Sequence, residues 1–421
     1  MQFIIYQNKK GRVRKMSNEL NACGVRAHRE KENGFKIEVD PKAIAHAEAI
    51  GLAPRPKETI SEIGSHGEFV RQANSFITPF GDKEGEFKAE ANRFAIYWGH
   101  GCHWSNRPVI VRDILGLEDV IADVAVQGGS IYGHGFTNQK DQKDPLTGVY
   151  FLSEFYKNAK PDYKGRATTP TLVDIIDKKA VNNDYHRLSN YIEVQFRKFQ
   201  KNDIDLYPVK YRNIIDEFND WLFPTINNGH YRMAFCQSPE AYDESYEDFF
   251  TNLEKIEKRL ENNRFLFGDY ITDSDVRLYV TLVRWETGYY HNVGPIHQRI
   301  KDYKNIWGYV TDLFSILTFK KYTFFEFGNR GEADLFREYS QRIDAKRDFN
   351  VYWASDGSRK LLSNDPENVY KKHPKGETVE DYQTEISYSH WNDESWESRN
   401  PFNRTISVDP SINPIESKLR D

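Results

Sequence analysis

The sequence predicts an α/β domain followed by an all-α domain, with a polar extension at each end. Three observations carry this reading. Phe94, Ile96 and Trp98 alternate with Ala95 and Tyr97 as in a half-buried strand, and a second strand pattern at 120–126 follows a helix-like stretch. From Tyr207 onward, apolar residues recur at helical spacing with no strand pattern between them. Residues 1–66 and 346–421 are polar, mixed in charge and without a sustained period. The 421 residues therefore divide into an N-terminal extension (1–66), an α/β domain (67–200), a helical domain (201–345) and a C-terminal extension (346–421).

In chain order, 41–50 is the helical stretch of the first extension, and 67–90 is an aromatic-studded loop packed on the domain that follows. After the strand at 94–98, Gly99, His100 and Gly101 make a turn. Val109, Ile110, Asp113 and Ile114 then place a helix over 103–115. Pro108 is tolerated there only in the first turn or at a kink. A right-handed crossover makes the strands at 94–98 and 120–126 parallel. The stretch 127–163, with four glycines between 128 and 135, reads as a flexible loop. It is not a phosphate loop, because the third glycine and a Gly-Lys-Ser/Thr are missing.

Two short strands, 166–174 and 179–184, meet at a turn around Asp177-Lys178. Proline sits poorly inside a strand, so Thr169-Pro170 is either an edge position or a cis peptide. The second would turn the Thr169 backbone outward to pair with an extended, peptide-like ligand. Asp184 opens a helix with Leu188, Ile192 and Phe196 on one face. It either caps that helix or joins the helix N–H groups in holding a ligand's amino and carboxylate groups. In the helical domain Ile214, Ile215, Phe218, Trp221 and Leu222 line one face, and Phe249, Leu253, Ile256 and Leu260 another. Thr272-Asp273-Ser274-Asp275 is a capping-box-like start to a helix over 276–285.

Bulk properties narrow the function. Hydrophobic residues make up 38% of the chain, enough for two cores, and a net charge of −5 without a basic block argues against nucleic acid as the main partner. No apolar run reaches membrane-spanning length, and three scattered cysteines (Cys23, Cys102, Cys236) suit a reducing, cytoplasmic setting. Cys102 falls at the strand-to-helix junction. There the unpaired N–H groups and the helix dipole favour a thiolate, and such positions lower a cysteine pKa from about 8.5 to roughly 3.5–7.5. Cys102-His103-Trp104-Ser105 has the spacing of a thioredoxin-type Cys-x-x-Cys, with Ser105 at the resolving position. One thiol cannot close an internal disulfide, so a redox cycle needs an external thiol, most simply glutathione. The plain alternative is a buried packing cysteine, which is how Cys236 reads.

The strand–helix–strand unit, the Xaa-Pro before a hairpin, the acid-capped helix and the all-α second domain together resemble a glutathione transferase with a thioredoxin-like N-terminal domain. Finer motifs resemble one branch, the glutathionyl-hydroquinone reductases or xi-class glutathione transferases. They include G-E-F-V-R-Q (67–72), C-H-W-S-N-R (102–107), D-Y-K-G-R-A-T-T-P (162–170), V-N-N-D (181–184), N-N-G-H-Y-R-M-A-F (227–235) and R-F-L-F-G-D-Y-I-T-D-S-D-V-R-L (264–278). The resemblance implies that Cys102 attacks the sulfur of a glutathionyl-hydroquinone and is left disulfide-linked to glutathione, which a second glutathione removes. It implies a thiol-binding set of His103, Trp104, Phe136, Thr169, Pro170, Asp184 and Tyr185. Within this set the Thr169 backbone pairs with the cysteinyl unit, and Asp184 holds the γ-glutamyl end. Tyr231 would lie in the aromatic acceptor pocket and help proton transfer to a quinonoid substrate, with Tyr289 or Tyr290 as companion; core packing is the alternative for these tyrosines. A homodimer is implied as well.

The chain departs from the family pattern where the thiol binds. His103 and Ser105 replace Pro and Ala of a C-P-W-A motif, and His103 either stabilises the thiolate when protonated or points to solvent. Phe136 stands for a tryptophan that contacts glutathione, and Asp184-Tyr185 stands for Glu-Ser. These changes keep open a general thioltransferase or dehalogenase, a modified thiol, and a non-catalytic thiol-binding or scaffolding protein. No metal is expected, since His100, Cys102, His103 and His134 lack the spaced pairs of a zinc site.

Overall fold

The computed structural model describes residues 39–54, 62–78, 80–81, 84–293, 298–323, 349–384 and 409–415. Cys23 lies outside them. The chain runs through α1 (Pro41–Ala49), β1 (Phe94–Trp98), α2 (His103–Ile114), β2 (Ile121–Ala125), β3 (Gln127–Ser130), β4 (Gly133–Gly135), α3 (Leu152–Ala159), β5 (Thr171–Asp174), β6 (Lys179–Asn182) and α4 (Leu188–Gln195). The sheet order is β2-β1-β5-β6, with β1 parallel to β2 and antiparallel to β5, and β6 antiparallel to β5. This is the thioredoxin-like arrangement expected.

β1 is buried along its whole length, not half-buried. Phe94, Ile96 and Trp98 enter one core, and Ala95 and Tyr97 enter another on the opposite face of the sheet. The second core explains the main error of the sequence reading. The stretch 127–163 is not a loop throughout: it holds the β3–β4 hairpin and α3. Leu152, Phe155 and Tyr156 of α3 are buried against Ala95, Tyr97 and Val173. Leu152, Phe155 and Tyr156 do keep helical spacing, but they follow a glycine-bearing stretch that reads as a loop. Pro108 lies inside α2, beyond its first turn.

The helical half comprises α5 (Arg212–Leu222), a π-helical turn (Phe223–Asn227), α6 (Gly229–Phe235), α7 (Pro239–Arg259), α8 (Asp273–Thr287), α9 (Lys304–Phe314) and α10 (Leu317–Lys321). Phe249, Leu253, Ile256 and Leu260 are buried as expected, and Thr272 with Asp275 forms the capping box of α8. One apolar core runs from α2 and α4 into α5, α7, α8 and α9. The C-terminal extension reaches into this core: Trp353 is fully buried and packs on Trp307 and Phe314. Among the described residues, no helix is long and apolar enough to cross a membrane.

Candidate active site

β1 delivers the chain to the turn Gly99–Gly101, and Cys102 follows as the N-cap of α2. Three side chains hold the turn. Within it, the Ser105 hydroxyl accepts from the Gly99 N–H at 3.0 Å and lies 3.0 Å from the Cys102 carbonyl. From the helical half, Arg284 donates to the His100 carbonyl at 2.6 Å and the Tyr289 hydroxyl to the Gly101 carbonyl at 3.0 Å. The serine at the resolving position therefore locks the turn instead of closing a disulfide. Ser105 and Asn106 N–H groups both donate to the Cys102 carbonyl. Among the described residues no acceptor meets the N–H groups of His103 and Trp104, so the first turn of α2 keeps free donors.

Across the cleft the Thr169-Pro170 peptide is cis, and the Thr169 carbonyl oxygen lies 3.8 Å from Cys102 Sγ. The Thr169 hydroxyl oxygen is buried with no hydrogen-bond partner. Cys102, Trp104, Thr169, Tyr185 and Tyr231 all line the cleft, which is narrow and open to solvent. Four of the expected residues thus surround the thiol. Cys102 is 4% exposed, and it opens on this cleft, not into hydrocarbon alone.

The residue that sequence reasoning missed is Arg71. Its guanidinium lies 3.9 Å from the Trp104 ring centre, 4.8 Å from Tyr231 and 5.3 Å from Phe69. Nε donates to Asn228 Oδ1 at 3.3 Å, while Nη2 is buried without a partner. Burial lowers its pKa, against the opposing pull of Tyr231 and Glu62. Arg71 sits in the G-E-F-V-R-Q stretch, and a lone arginine in an aromatic-rich loop was the available signal. Gln72 and Arg166 close the rim: Arg166 pairs with Glu62 at 2.5 Å, and the Gln72 N–H donates to that same carboxylate at 3.0 Å.

Several expected positions are corrected. His103 neither points to solvent nor carries a charge. It is fully buried with both ring nitrogens unpartnered, edge-on to His230, Tyr231 and Tyr289. Burial, followed by His230 and Arg71, holds its pKa well below the ordinary value. Phe136 lies in the core beyond the sheet, against Tyr97, because β3 and β4 carry its loop to that face. Asp184 does cap, though one turn before the helix proper: its Oδ1 accepts from the His186 and Arg187 N–H groups at 3.1 and 3.2 Å. The Asn74 side-chain amide, 3.5 Å away, links it to the cleft wall. Tyr185 fills the cleft floor, stacked on Phe223 and beside Trp104, and burial raises its pKa. Tyr289 stacks on His230 at 4.0 Å, behind Tyr231. Cys236 donates to the Met233 carbonyl. Among the described residues, His100, Cys102, His103 and His134 do not gather as a ligand set.

Residues 239–312 match the family model of the glutathione S-transferase C-terminal domain. The glutathionyl-hydroquinone reductase YqjG of Escherichia coli is 32% identical over 262 residues, which span 59% of this chain and 79% of that protein. A glutathione-bound structure of YqjG superposes with a TM-score of 0.56, at 31% identity, covering 61% of this chain and 86% of that one. The xi glutathione transferase of Phanerochaete chrysosporium superposes with a TM-score of 0.60, at 32% identity, covering 63% and 88%. With a capped thiol, an Xaa-Pro loop facing it and an all-α second half, the chain belongs to the glutathionyl-hydroquinone reductases, the xi-class glutathione transferases.

Proposed function

We propose that this chain reduces glutathionyl-hydroquinones with glutathione through Cys102. The observation that carries the reading is the Cys102 thiol at the start of α2, facing Thr169 across a cleft rich in unpaired donors. Glutathione bears two carboxylates. The Arg71 Nη2, the Thr169 hydroxyl and the free N–H groups of α2 are the complement such a ligand requires. The same N–H groups favour the thiolate form of Cys102.

In the reaction, the Cys102 thiolate attacks the glutathionyl sulfur and the carbon–sulfur bond breaks. The ring carbon leaves with the bonding pair, takes a proton and becomes the free hydroquinone. Cys102 is then disulfide-bonded to glutathione. A second glutathione thiolate attacks that disulfide, releasing oxidised glutathione and the Cys102 thiolate. Tyr231, on the cleft wall, assists proton transfer at a ring oxygen. Arg71, spread over Trp104 and Tyr231, holds the aromatic wall of the cleft on which the thiol opens. Tyr289 acts as a positioning residue through the Gly101 carbonyl.

Turnover of glutathionyl-menadiol with glutathione tests this. The wild type reduces it, and Cys102→Ser loses on the order of 10³-fold in kcat or more. Full activity in Cys102→Ser would end the mechanism. Turnover of a glutathione mixed disulfide without turnover of glutathionyl-menadiol would make the protein a general thioltransferase. Dimerisation belongs to the same proposal, and light scattering at twice the chain mass is the expected result.

A further inference from the structure

The C-terminal extension returns to the helical half at a place separate from the Cys102 cleft. The Asp205 N–H donates to the Lys371 carbonyl at 2.9 Å, Ile271 N–H to the Val369 carbonyl at 2.8 Å, and Arg212 to the Tyr382 carbonyl at 2.9 Å. These bonds bring three side chains together. We propose that Asp205, His373 and Glu377 bind a divalent cation of the Zn2+ type, which fastens the C-terminal segment to the helical half.

His373 Nδ1 lies 2.8 Å from Glu377 Oε2 and 3.9 Å from Asp205 Oδ2, and all three atoms fall within 4.8 Å of one another. Tetrahedral zinc, with bonds of about 2.0–2.2 Å, spaces its ligand atoms at roughly 3.4 Å. The two measured separations fall on either side of that edge, so small side-chain rotations suffice. A second observation points to a ligand. Asp205 is 1% exposed, and its Oδ1 accepts from the Tyr207 N–H at 3.0 Å and the Tyr382 hydroxyl at 3.1 Å. Its Oδ2, aimed at His373, accepts nothing. A single proton at Nδ1 can serve only one of the two flanking carboxylates, of which Glu377 is the closer; a cation in that place meets all three groups.

The donor chemistry selects the ion. An imidazole nitrogen with two carboxylates suits zinc and its first-row neighbours and counts against magnesium or calcium, which prefer all-oxygen shells. Neutral His373 is the form that ligates. Around the site Asp203 and Asp381 add negative charge, and Arg197 and Arg212 oppose it. Arg212 is engaged by the Tyr207 and Tyr382 carbonyls. Glu377, the most exposed of the three, leaves the fourth position to water. The sequence reading placed no ligand here, because His373 and Glu377 meet Asp205 only through the fold.

The full chain is stripped with EDTA and titrated with Zn2+ and with Co2+, both in the wild type and in Cys102→Ser, which removes the competing thiolate. We expect one metal per chain, retained in Cys102→Ser, with Co2+ d–d bands free of thiolate charge transfer. His373→Gln should weaken Zn2+ at least tenfold and abolish the rise in Tm that Zn2+ gives the wild type, with glutathione-dependent turnover unchanged. Should His373→Gln not fold, Glu377→Gln, which keeps a hydrogen bond to His373, is read in the same way. No binding at 1:1 to about 10 μM metal, or unchanged affinity in both variants, would overturn the proposal. So would a site lost in Cys102→Ser.

Discussion

The starts of α2 and α8 are both buried helix N-termini, and they treat their polar groups in opposite ways. At α8 nearly everything is paired. Asp275 accepts from Thr272 N–H and hydroxyl, from Leu266 N–H and from the Tyr309 hydroxyl, all at 2.8–3.0 Å. Asp273 accepts from Ser189, Asn219 and Arg277 at 3.1, 3.0 and 2.5 Å. At α2 the cap is a thiol with no side-chain capping bond, and Thr169 Oγ1 and Arg71 Nη2 are unpartnered in the same cleft. A satisfied network holds a fold together. An unsatisfied one, around a nucleophile, is arranged for groups that arrive with a ligand.

On this contrast, breaking α8 costs stability and breaking α2 costs activity. Asp273→Asn leaves Arg277 as a buried cation facing a neutral amide. It should lose roughly 3–5 kcal/mol in urea unfolding, and a loss below about 1 kcal/mol would refute the structural role. Burial raises the Asp273 carboxyl, but Arg277 and Arg107 more than offset it, so its pKa lies below the ordinary value. Its stabilisation is therefore complete above about pH 4 and is lost only as pH falls through that lower pKa. The gap between wild type and variant should stay constant from pH 7 to pH 5.

Arg71→Met tests the other side. It removes a cation over two rings and an unpaired donor, and should lower kcat/KM about 10–100-fold with unfolding free energy changed by less than about 1 kcal/mol. A fall under twofold would take Arg71 out of the reaction.

His103→Leu has the smallest effect at neutral pH and sharpens the comparison through its pH dependence. His103 is buried neutral, with its pKa far below the usual value. The unfolded chain takes up this proton near pH 6.5 and the folded one does not. The His103 contribution to wild-type stability therefore falls by about 1.4 kcal/mol per pH unit below that point. The variant should match the wild type within about 1 kcal/mol at pH 7.5 and exceed it by roughly 2 kcal/mol at pH 5, read by denaturant unfolding. Equal slopes would mean that His103 is protonated in the folded protein.

What the sequence determined by itself is everything governed by near neighbours. The strand at 94–98, the helix after Cys102, the hairpin at 171–182 and the Thr272–Asp275 capping box each declare themselves within a few residues, because period and capping are local. Cys102 is legible for the same reason: a strand, a turn and a helix in succession put it at a helix N-terminus. Tertiary structure alone decided the rest. Only the second core on the far face of the sheet reveals α3 and draws Phe136 away from the cleft. Only the approach of the helical half buries His103 and engages Tyr289 with Gly101. Arg71 over Trp104, and Asp205 beside His373, are likewise meetings between segments distant in the chain. A residue's charge state and partners follow from what surrounds it in space, and sequence order does not specify those surroundings.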